Sequence, residues 1–500
     1  MSFLTMLPVW VLMTSFLAAM IIFMLPEHRH GLRTTINIVA ALIKIAFIIL
    51  LLRLVAQQYT PEVSFELLPG LYFVLKADAL AMLFAGLSSI LWLCTTIYAI
   101  GYLENSPNRS RFFGYFSLCV ASTMGISLAG NLFTFLIFYE LLTLSTYPLV
   151  VHRGTQQALN AGRIYLTYTL IGGLVLLLGV ACVYAFVGDI AFGDTTKMAE
   201  FVAREPVSAA VIFLLLISGM AVKAALFPVH GWLPKAMVAP APVSALLHAV
   251  AVVKAGAFGV IRVVYDVFGV ALSWQQGYLF VLSIFASFTI LYGSWRAIQQ
   301  IDIKKRLAFS TVSQVSYILL GVTLLGPIGT IGGLVHLLHQ GLMKVTLFFC
   351  AGNYAETLGI HKITELNGTG KRMPYTSIAF TVGALGMIGL PPIAGFISKW
   401  YLGTGALAAN MQWVIWVLLA SSLLNATYFL PLLHRIWFLP QKGPWPDEVS
   451  NQKKYRDAIP LLLIPTLITA GLSITAGLFA GSDFSPLSWV QLIVTREYQP

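Results

Sequence analysis

The sequence predicts an all-α, polytopic membrane protein of about fourteen transmembrane helices. Composition, the recurrence of apolar runs and the placement of charge carry that expectation. The 500 residues are 58% hydrophobic and only 10% charged, with a mean hydropathy of +0.84. Runs long enough to cross about 30 Å of hydrocarbon as a helix recur from end to end. They lie near 4–25, 33–55, 78–101, 111–129, 132–151, 163–187, 207–228, 241–264, 276–295, 307–325, 328–350, 376–398, 409–437 and 459–481. The first lacks a basic leading region and is followed by Pro26, Glu27 and a basic turn, so it reads as a retained span rather than a cleaved signal.

Charge supports the count. Nineteen of the thirty Lys and Arg fall in loops joining an odd-numbered span to the next even one: Arg29, Arg33, Arg109, Arg111, Arg153, Arg163, Lys235, Arg296, Lys304, Lys305, Arg306, Lys362, Lys371, Arg372, Arg435, Lys442, Lys453, Lys454 and Arg456. The alternate loops hold six, Arg53, Lys76, Lys197, Arg204, Arg262 and Arg496, and five lysines lie inside spans. By the positive-inside rule the basic loops are cytoplasmic and both termini are outside. The net charge of +11 is therefore topological and does not point to nucleic acid. Loops near 187–206 and 437–458 are the longest, and residues 1–500 read as one membrane domain.

Cys94, Cys119, Cys182 and Cys350 lie in or beside spans without CxxC or Cys/His spacing, so no metal or redox centre is read here. No Walker A loop or dinucleotide fingerprint appears, and no cofactor is expected. Energy must come from an ion gradient or a partner.

Six ionisable side chains interrupt the spans: Glu140, Lys223, Lys254, Lys344, Lys399 and Lys44. Each costs roughly 2.5–3.5 kcal/mol near a bilayer centre, or about 15–20 kcal/mol together, more than a typical net folding stability. Such residues line protein-enclosed ion or proton paths. A dry lysine holds its proton weakly and a nearby carboxylate restores the hold, so an ion pair between two such groups, broken and remade, acts as a switch. A released proton could pass through water, His248, Lys254, the histidines His336 and His339, and Lys344 to Lys399.

The eighth and eleventh spans echo one another, with Leu246-Leu247-His248 before Lys254 and Leu337-Leu338-His339 before Lys344. Spans seven and twelve are broken by proline beside a lysine, at Lys223 to Pro228 and at Pro391-Pro392 to Lys399. Paired broken helices point to inverted repeats with ion sites at mid-membrane.

The segment from Lys223 to Gly256, with its Phe-Pro-Val-His-Gly-Trp-Leu-Pro and Ser-Ala-Leu-Leu-His runs, closely resembles the signature of antiporter-like subunits. These occur in respiratory complex I, Mrp-type Na+/H+ antiporters and membrane-bound hydrogenases. The likeness extends through Arg111 to Tyr147, Asp302 to Gln314, His336 to Gly352 and Leu390 to Lys399, the third to the twelfth span. It implies fourteen helices with inverted five-helix repeats at spans 4–8 and 9–13. The chain then divides into three N-terminal spans (1–110), a first repeat (111–265), a second repeat (266–437), and a last loop and span (438–500). By position it implies that Glu140 pairs with Lys223, that Lys254 is central, that His248, His336 and Lys344 are axis residues, and that Lys399 is on the exit side. Gln340 stands where some relatives carry a second histidine, with His339 beside it.

Other readings compete at several positions. Lys44, outside the repeats, reads as structural or lipid-facing. His230 is a polar plug or an uptake-side relay, and Asp78 a helix cap or a contact to a neighbouring protein of the same complex. His152 and His361 read as loop surface residues, and Pro240 and Pro242 as shaping the turn into span eight. The resemblance implies a bacterial inner-membrane protein, partnered by other membrane subunits. Complex I L-type and Mrp A-type relatives carry long C-terminal extensions whereas this chain stops soon after span fourteen, and Lys399 disfavours the complex I M type, which has glutamate there. A role like that of the Mrp D type in cation/proton (Na+/H+) antiport is the leading expectation. The alternative is a proton-pumping N- or M-like subunit of an NADH:quinone oxidoreductase, and a self-sufficient solute transporter stands third because one carboxylate among lysines is a poor cation cage.

Overall fold

The computed structural model describes residues 3–104, 106–448 and 456–498, so Lys453 and Lys454 of the charge pattern lie outside the described residues. The chain opens with α1 (Leu7–Met24) and α2 (His30–Ala56). An antiparallel hairpin follows, β1 (Glu62–Leu68) and β2 (Leu71–Lys76), turned at Pro69-Gly70 with Gly70 at φ +77°. The all-α expectation missed this hairpin. Its two strands satisfy each other's backbone in the loop between α2 and α3 (Ala79–Tyr102), and Asp78 caps α3 by accepting from Ala81 N at 2.7 Å.

Next come α4 (Arg109–Leu128), α5 (Leu132–Val150) and α6 (Gln156–Phe186). Asn131 and Thr155 cap the last two, accepting from Thr134 N and Ala158 N. A short amphipathic helix, α7 (Thr196–Arg204), lays Met198, Phe201 and Val202 against the bundle. The seventh span is α8 (Pro206–Lys223), a break over 224–231, and the short α9 (Trp232–Lys235). The eighth is α10 (Ala241–Ala245), a π turn Leu246–Val250, α11 (Val252–Arg262) and a second π turn Val263–Val267. After α12 (Val270–Gln275) the chain continues as α13 (Tyr278–Ile298), α14 (Ile303–Thr323) and the 32-residue α15 (Pro327–Leu358). The short α16 (Thr369–Arg372) leads to a second broken span, α17 (Pro374–Ile388) and α18 (Ala394–Ala408). The chain ends with α19 (Trp413–Trp437), α20 (Pro460–Leu478) and α21 (Pro486–Glu497).

Among the described residues, eleven helical segments are long and apolar enough to cross a membrane. The other three expected spans are α4, α14 and the α17–α18 pair. The first two are richer in Ser, Thr and Gly because protein surrounds them: α14 is buried along nearly its whole length, including Ser310, Ser313, Gln314 and Ser316. Loops of one parity bind each other. Glu27 accepts from Arg109 N and Ser110 N, joining the α1–α2 and α3–α4 loops. On the other face bridges join Leu75 to Ala129 and Asn131 to Ala191, gathering the hairpin, the α4–α5 loop and the approach to α7.

The core is centred on α15, which packs on α3, α14, α17, α18 and α20. Tyr98 of α3 stacks on Phe349 at 4.1 Å and donates to its carbonyl at 3.0 Å. Both breaks contain a cis X–Pro bond, Phe227–Pro228 and Pro391–Pro392. Protein groups take up the freed backbone, as a break at membrane depth requires. Trp232 Nε1 donates to Val222 O at 2.7 Å, Phe227 N donates to Thr289 Oγ1 at 3.1 Å, and Asn425 Nδ2 donates to Met387 O at 3.2 Å.

Candidate functional site

The lysines inside the bundle, Lys223, Lys254 and Lys344 buried and Lys399 half-buried, lie where helices end, bulge or cross. Lys223 is the last residue of α8, and its Nζ donates to the Tyr139 carbonyl and sits over the Tyr139 ring. Glu140, the next residue on α5, points instead at α6. Its Oε1 is buried without a hydrogen-bond partner, and a methyl group at Gly173 would lie 2.2 Å from it, so a larger residue there would push the carboxylate from this position. The expected Glu140–Lys223 ion pair is not closed: among the described residues no carboxylate lies within 4.0 Å of Lys223. The lysine holds a backbone carbonyl beside the carboxylate rather than the carboxylate itself.

Lys254 of α11 crosses to α15 and donates to Leu337 O at 2.7 Å. Lys344, further along α15, donates to the Ser310 hydroxyl and to Leu307 O on α14, the latter at 3.1 Å. Lys399 of α18 reaches back over the second break, donating to Met387 O at 3.2 Å, Ile388 O at 2.7 Å and Ser422 Oγ at 3.0 Å. The first two acceptors are carbonyls at the C-terminal end of α17, where the helix dipole favours a cation. Gly389, at φ +94°, both turns the chain there and leaves space, since a Cβ would meet Lys399 Cδ at 2.6 Å.

The histidines fall between these lysines. His248 lies in the first π turn, stacked on Phe348 at 4.5 Å, with neither ring nitrogen bonded. Insertion of an extra residue into the helix is what aims such a side chain inward. His336 Nδ1 is 2.8 Å from Ser398 Oγ, one residue before Lys399, and its ring lies 5.4 Å from Tyr317. Tyr317 in turn faces Lys399 at 5.4 Å. His339 is buried but bonds no other residue of the row. Gln340 and Gln314 are buried with both side-chain polar atoms unbonded. Groups of this kind are normally satisfied by ordered water.

Several expectations are corrected. Lys44 is neither lipid-facing nor near a helix end: it is fully buried midway along the 27-residue α2. His152 is not a surface residue, for it is buried edge-on to Phe112 at 5.0 Å. His361 is exposed as expected. Asp78 is a cap and more: together with Asp266 it holds Arg262 at 2.8 and 2.7 Å in a buried triad. Arg262 had the look of a loop cation. The i,i+4 spacing of Arg262 and Asp266 was the available signal, but nothing in the sequence joins them to Asp78. His230 lines a cavity of about 440 Å3 with Gln157, Asn160, Lys235, Arg296 and Phe309, at the face of the basic loops.

Residues 129–425 match the family described as NADH:quinone oxidoreductase/Mrp antiporter, TM. The chain is 35% identical over 395 residues to "NADH-quinone oxidoreductase subunit N" of Desulforudis audaxviator, covering 77% of this chain and 78% of that one. It is 31% identical over 411 residues to "Putative antiporter subunit mnhA2" of Staphylococcus epidermidis, covering 78% of this chain but only 51% of that longer protein. A chain in the structure of the Mrp complex from Dietzia sp. DQ12-45-1b superposes with a TM-score of 0.84 at 25% identity, covering 100% of this chain and 98% of that one. Sequence and architecture agree, and the chain belongs to the NADH:quinone oxidoreductase/Mrp antiporter transmembrane family.

Proposed function

We propose that the chain is the proton-translocating subunit of a multisubunit cation/proton antiporter, of the Mrp D type, in a bacterial inner membrane. The observation that carries this reading is the row of lysines inside the bundle, Lys223, Lys254 and Lys344 buried and Lys399 half-buried, held by carbonyls, hydroxyls and an aromatic ring, with no carboxylate within 4.0 Å among the described residues. Neutral acceptors suit both the ammonium and the amine, so each lysine can give up and regain a proton without leaving a bare countercharge. His248, His336 and the unbonded amides of Gln314 and Gln340 fill the intervals, where water completes the relay. Lys223 moves between the Tyr139 carbonyl and the Glu140 carboxylate on the adjacent residue, a change of side-chain scale, and closing that ion pair draws a proton onto the lysine.

Two inverted repeats frame the row. In the first, α4 packs on α5 and α6 on α8; in the second, α13 packs on α14 and α15 on α18. Each repeat contributes a broken helix with a lysine at the break, which supports the division at spans 4–8 and 9–13 and a count of fourteen. The basic loops belong on the cytoplasmic side, and the cavity at His230 is then the uptake side.

The antiporter assignment is supported by the end-to-end superposition on the Mrp complex chain. A second reading, an N-like subunit of an NADH:quinone oxidoreductase, is favoured by the relative at 35% identity. Purification of the intact complex separates them. Small antiporter subunits and Na+- or K+-driven proton flux in vesicles support the first reading; co-purifying redox subunits with NADH-driven flux support the second. Robust exchange by the lone chain would defeat both.

A further inference from the structure

Lys44 is the buried lysine that this axis leaves unused. It lies at mid-depth in α2, outside the repeats, with no accessible surface. A snorkelling lysine sits near a helix end with its amine in the interface, and Lys44 does neither. Its Nζ is 2.6 Å from Ser15 Oγ on α1 and 4.5 Å from the centroid of the Trp92 ring on α3. The ring face suits the ammonium, and the hydroxyl suits either form, accepting from the ammonium or donating to the amine.

Beyond Trp92 a polar stripe follows one side of α3. Ser88, Trp92, Thr95 and Thr96 recur at helical spacing, and all are buried. Trp92 Nε1, Thr95 Oγ1 and Thr96 Oγ1 have no hydrogen-bond partner, while Ser88 Oγ donates to Val250 O at 3.3 Å. Val250 belongs to the π turn that carries His248. The α3 helix therefore touches Lys44 through Trp92 and the His248 turn through Ser88, and unsatisfied polar groups lie along that same stripe. Among the described residues no carboxylate lies within 4.0 Å of Lys44. The elements packed on α2 are α1, α3 and α4. Glu27, Arg33, Arg109 and Arg111 lie toward the basic loops, and Asp78 at the far end of α3 is taken by Arg262. Of the titratable groups buried on α3 and α4, Tyr98 is bonded to Phe349 O, Cys119 lies against Ser145 and Thr146, and Cys94 is a free thiol.

We propose that Lys44 is a further proton-carrying site, in the N-terminal three-helix unit, which exchanges protons with the His248 region across the polar face of α3. The inference rests on the proton-axis reading above. In the exchange the ammonium gives one proton to a neighbouring hydroxyl or water and becomes the amine. That group passes its own proton on, so each hydroxyl is re-formed and one proton has moved.

The test uses the intact complex in vesicles, with Lys44→Met, Lys44→Arg, Ser15→Ala and Lys223→Ala compared at equal assembly. Methionine keeps the volume without the charge, and arginine keeps the charge but does not release a proton at these pH values. In Lys44→Met, proton flux is expected to fall roughly 10- to 100-fold, up to the scale at which removing a proton-transferring group acts, while the Tm is held or raised because an uncompensated buried amine is gone. Lys44→Arg is expected to fail likewise, and Ser15→Ala to shift the pH profile between about pH 6 and 9 without losing assembly. Normal flux in Lys44→Met or Lys44→Arg overturns the proposal, as does loss of Tm and flux together in Lys44→Met with an unchanged profile in Ser15→Ala. If Lys223→Ala also transports normally, the axis reading itself has failed; if Lys223→Ala is inactive while Lys44→Met is normal, only the Lys44 proposal has.

Discussion

Lys399 Nζ lies 2.7 Å from the carbonyl oxygen of Ile388, so the lysine of α18 closes the end of α17 across the break that separates the two half-helices. One amine thus satisfies backbone acceptors that a continuous helix would have satisfied itself. This ties a candidate proton carrier to the geometry of the broken span.

That double duty sets the expected order of Lys399 variants. Lys399→Ala is expected to stop proton flux and to loosen the break, since Ile388 O loses the lysine donor and Met387 O is left with Asn425 Nδ2. Lys399→Glu retains a group able to relay a proton and keeps part of the flux. Vesicle pH-gradient assays at equal assembly check the order, and an alanine variant with normal flux removes Lys399 from the path. Partial rescue in Lys399→Gln, which keeps a donor but cannot titrate, would assign the residue to structure instead.

Glu140 and Lys223 are expected to act as one unit. Glu140→Ala and Lys223→Ala each abolish transport with insertion and assembly largely intact, and Glu140→Asp retains more flux than Glu140→Ala. The double alanine variant is then expected to be no worse than either single one, the signature of coupled residues. Normal flux in either single alanine variant would remove the pair from the path.

Gly173 makes room for the Glu140 carboxylate, where a methyl group would lie 2.2 Å from Oε1. Gly173→Ala gains about 1 kcal/mol of intrinsic helix propensity yet displaces that carboxylate. Transport is expected to drop several-fold while thermal stability changes little. A variant with full transport would show that the position of Glu140 against α6 is immaterial.

The Arg262 triad is expected to matter for stability first. Arg262→Met leaves Asp78 and Asp266 buried without their cation, at a cost of about 3–5 kcal/mol. Asp78→Asn also weakens the cap on α3. A lower Tm and reduced assembly yield are the expected readouts, with flux per assembled complex preserved. Loss of flux at unchanged Tm would move the triad into the transport path.

Hydropathy and local motifs were enough to fix the helical membrane class, the helix breaks beside Lys223 and before Lys399, and the lysines and histidines set within the helices. A bilayer imposes those features on the chain locally: a span must be about twenty residues long, a charge within it stands out, and a proline shows where a helix is broken. What each side chain meets across the bundle was a tertiary matter. Asp78 and Arg262 are far apart in sequence and meet because α3 and α11 are brought together; Lys44 is enclosed because α1 and α3 cover the face of α2 on which it lies. The hairpin at 62–76 was missed because a loop between two strongly apolar spans gives little pattern of its own. The opening of the Glu140–Lys223 pair was also beyond the sequence, since Lys223 takes the Tyr139 carbonyl while the Glu140 carboxylate lies against Gly173 of α6, both contacts between helices far apart in the chain.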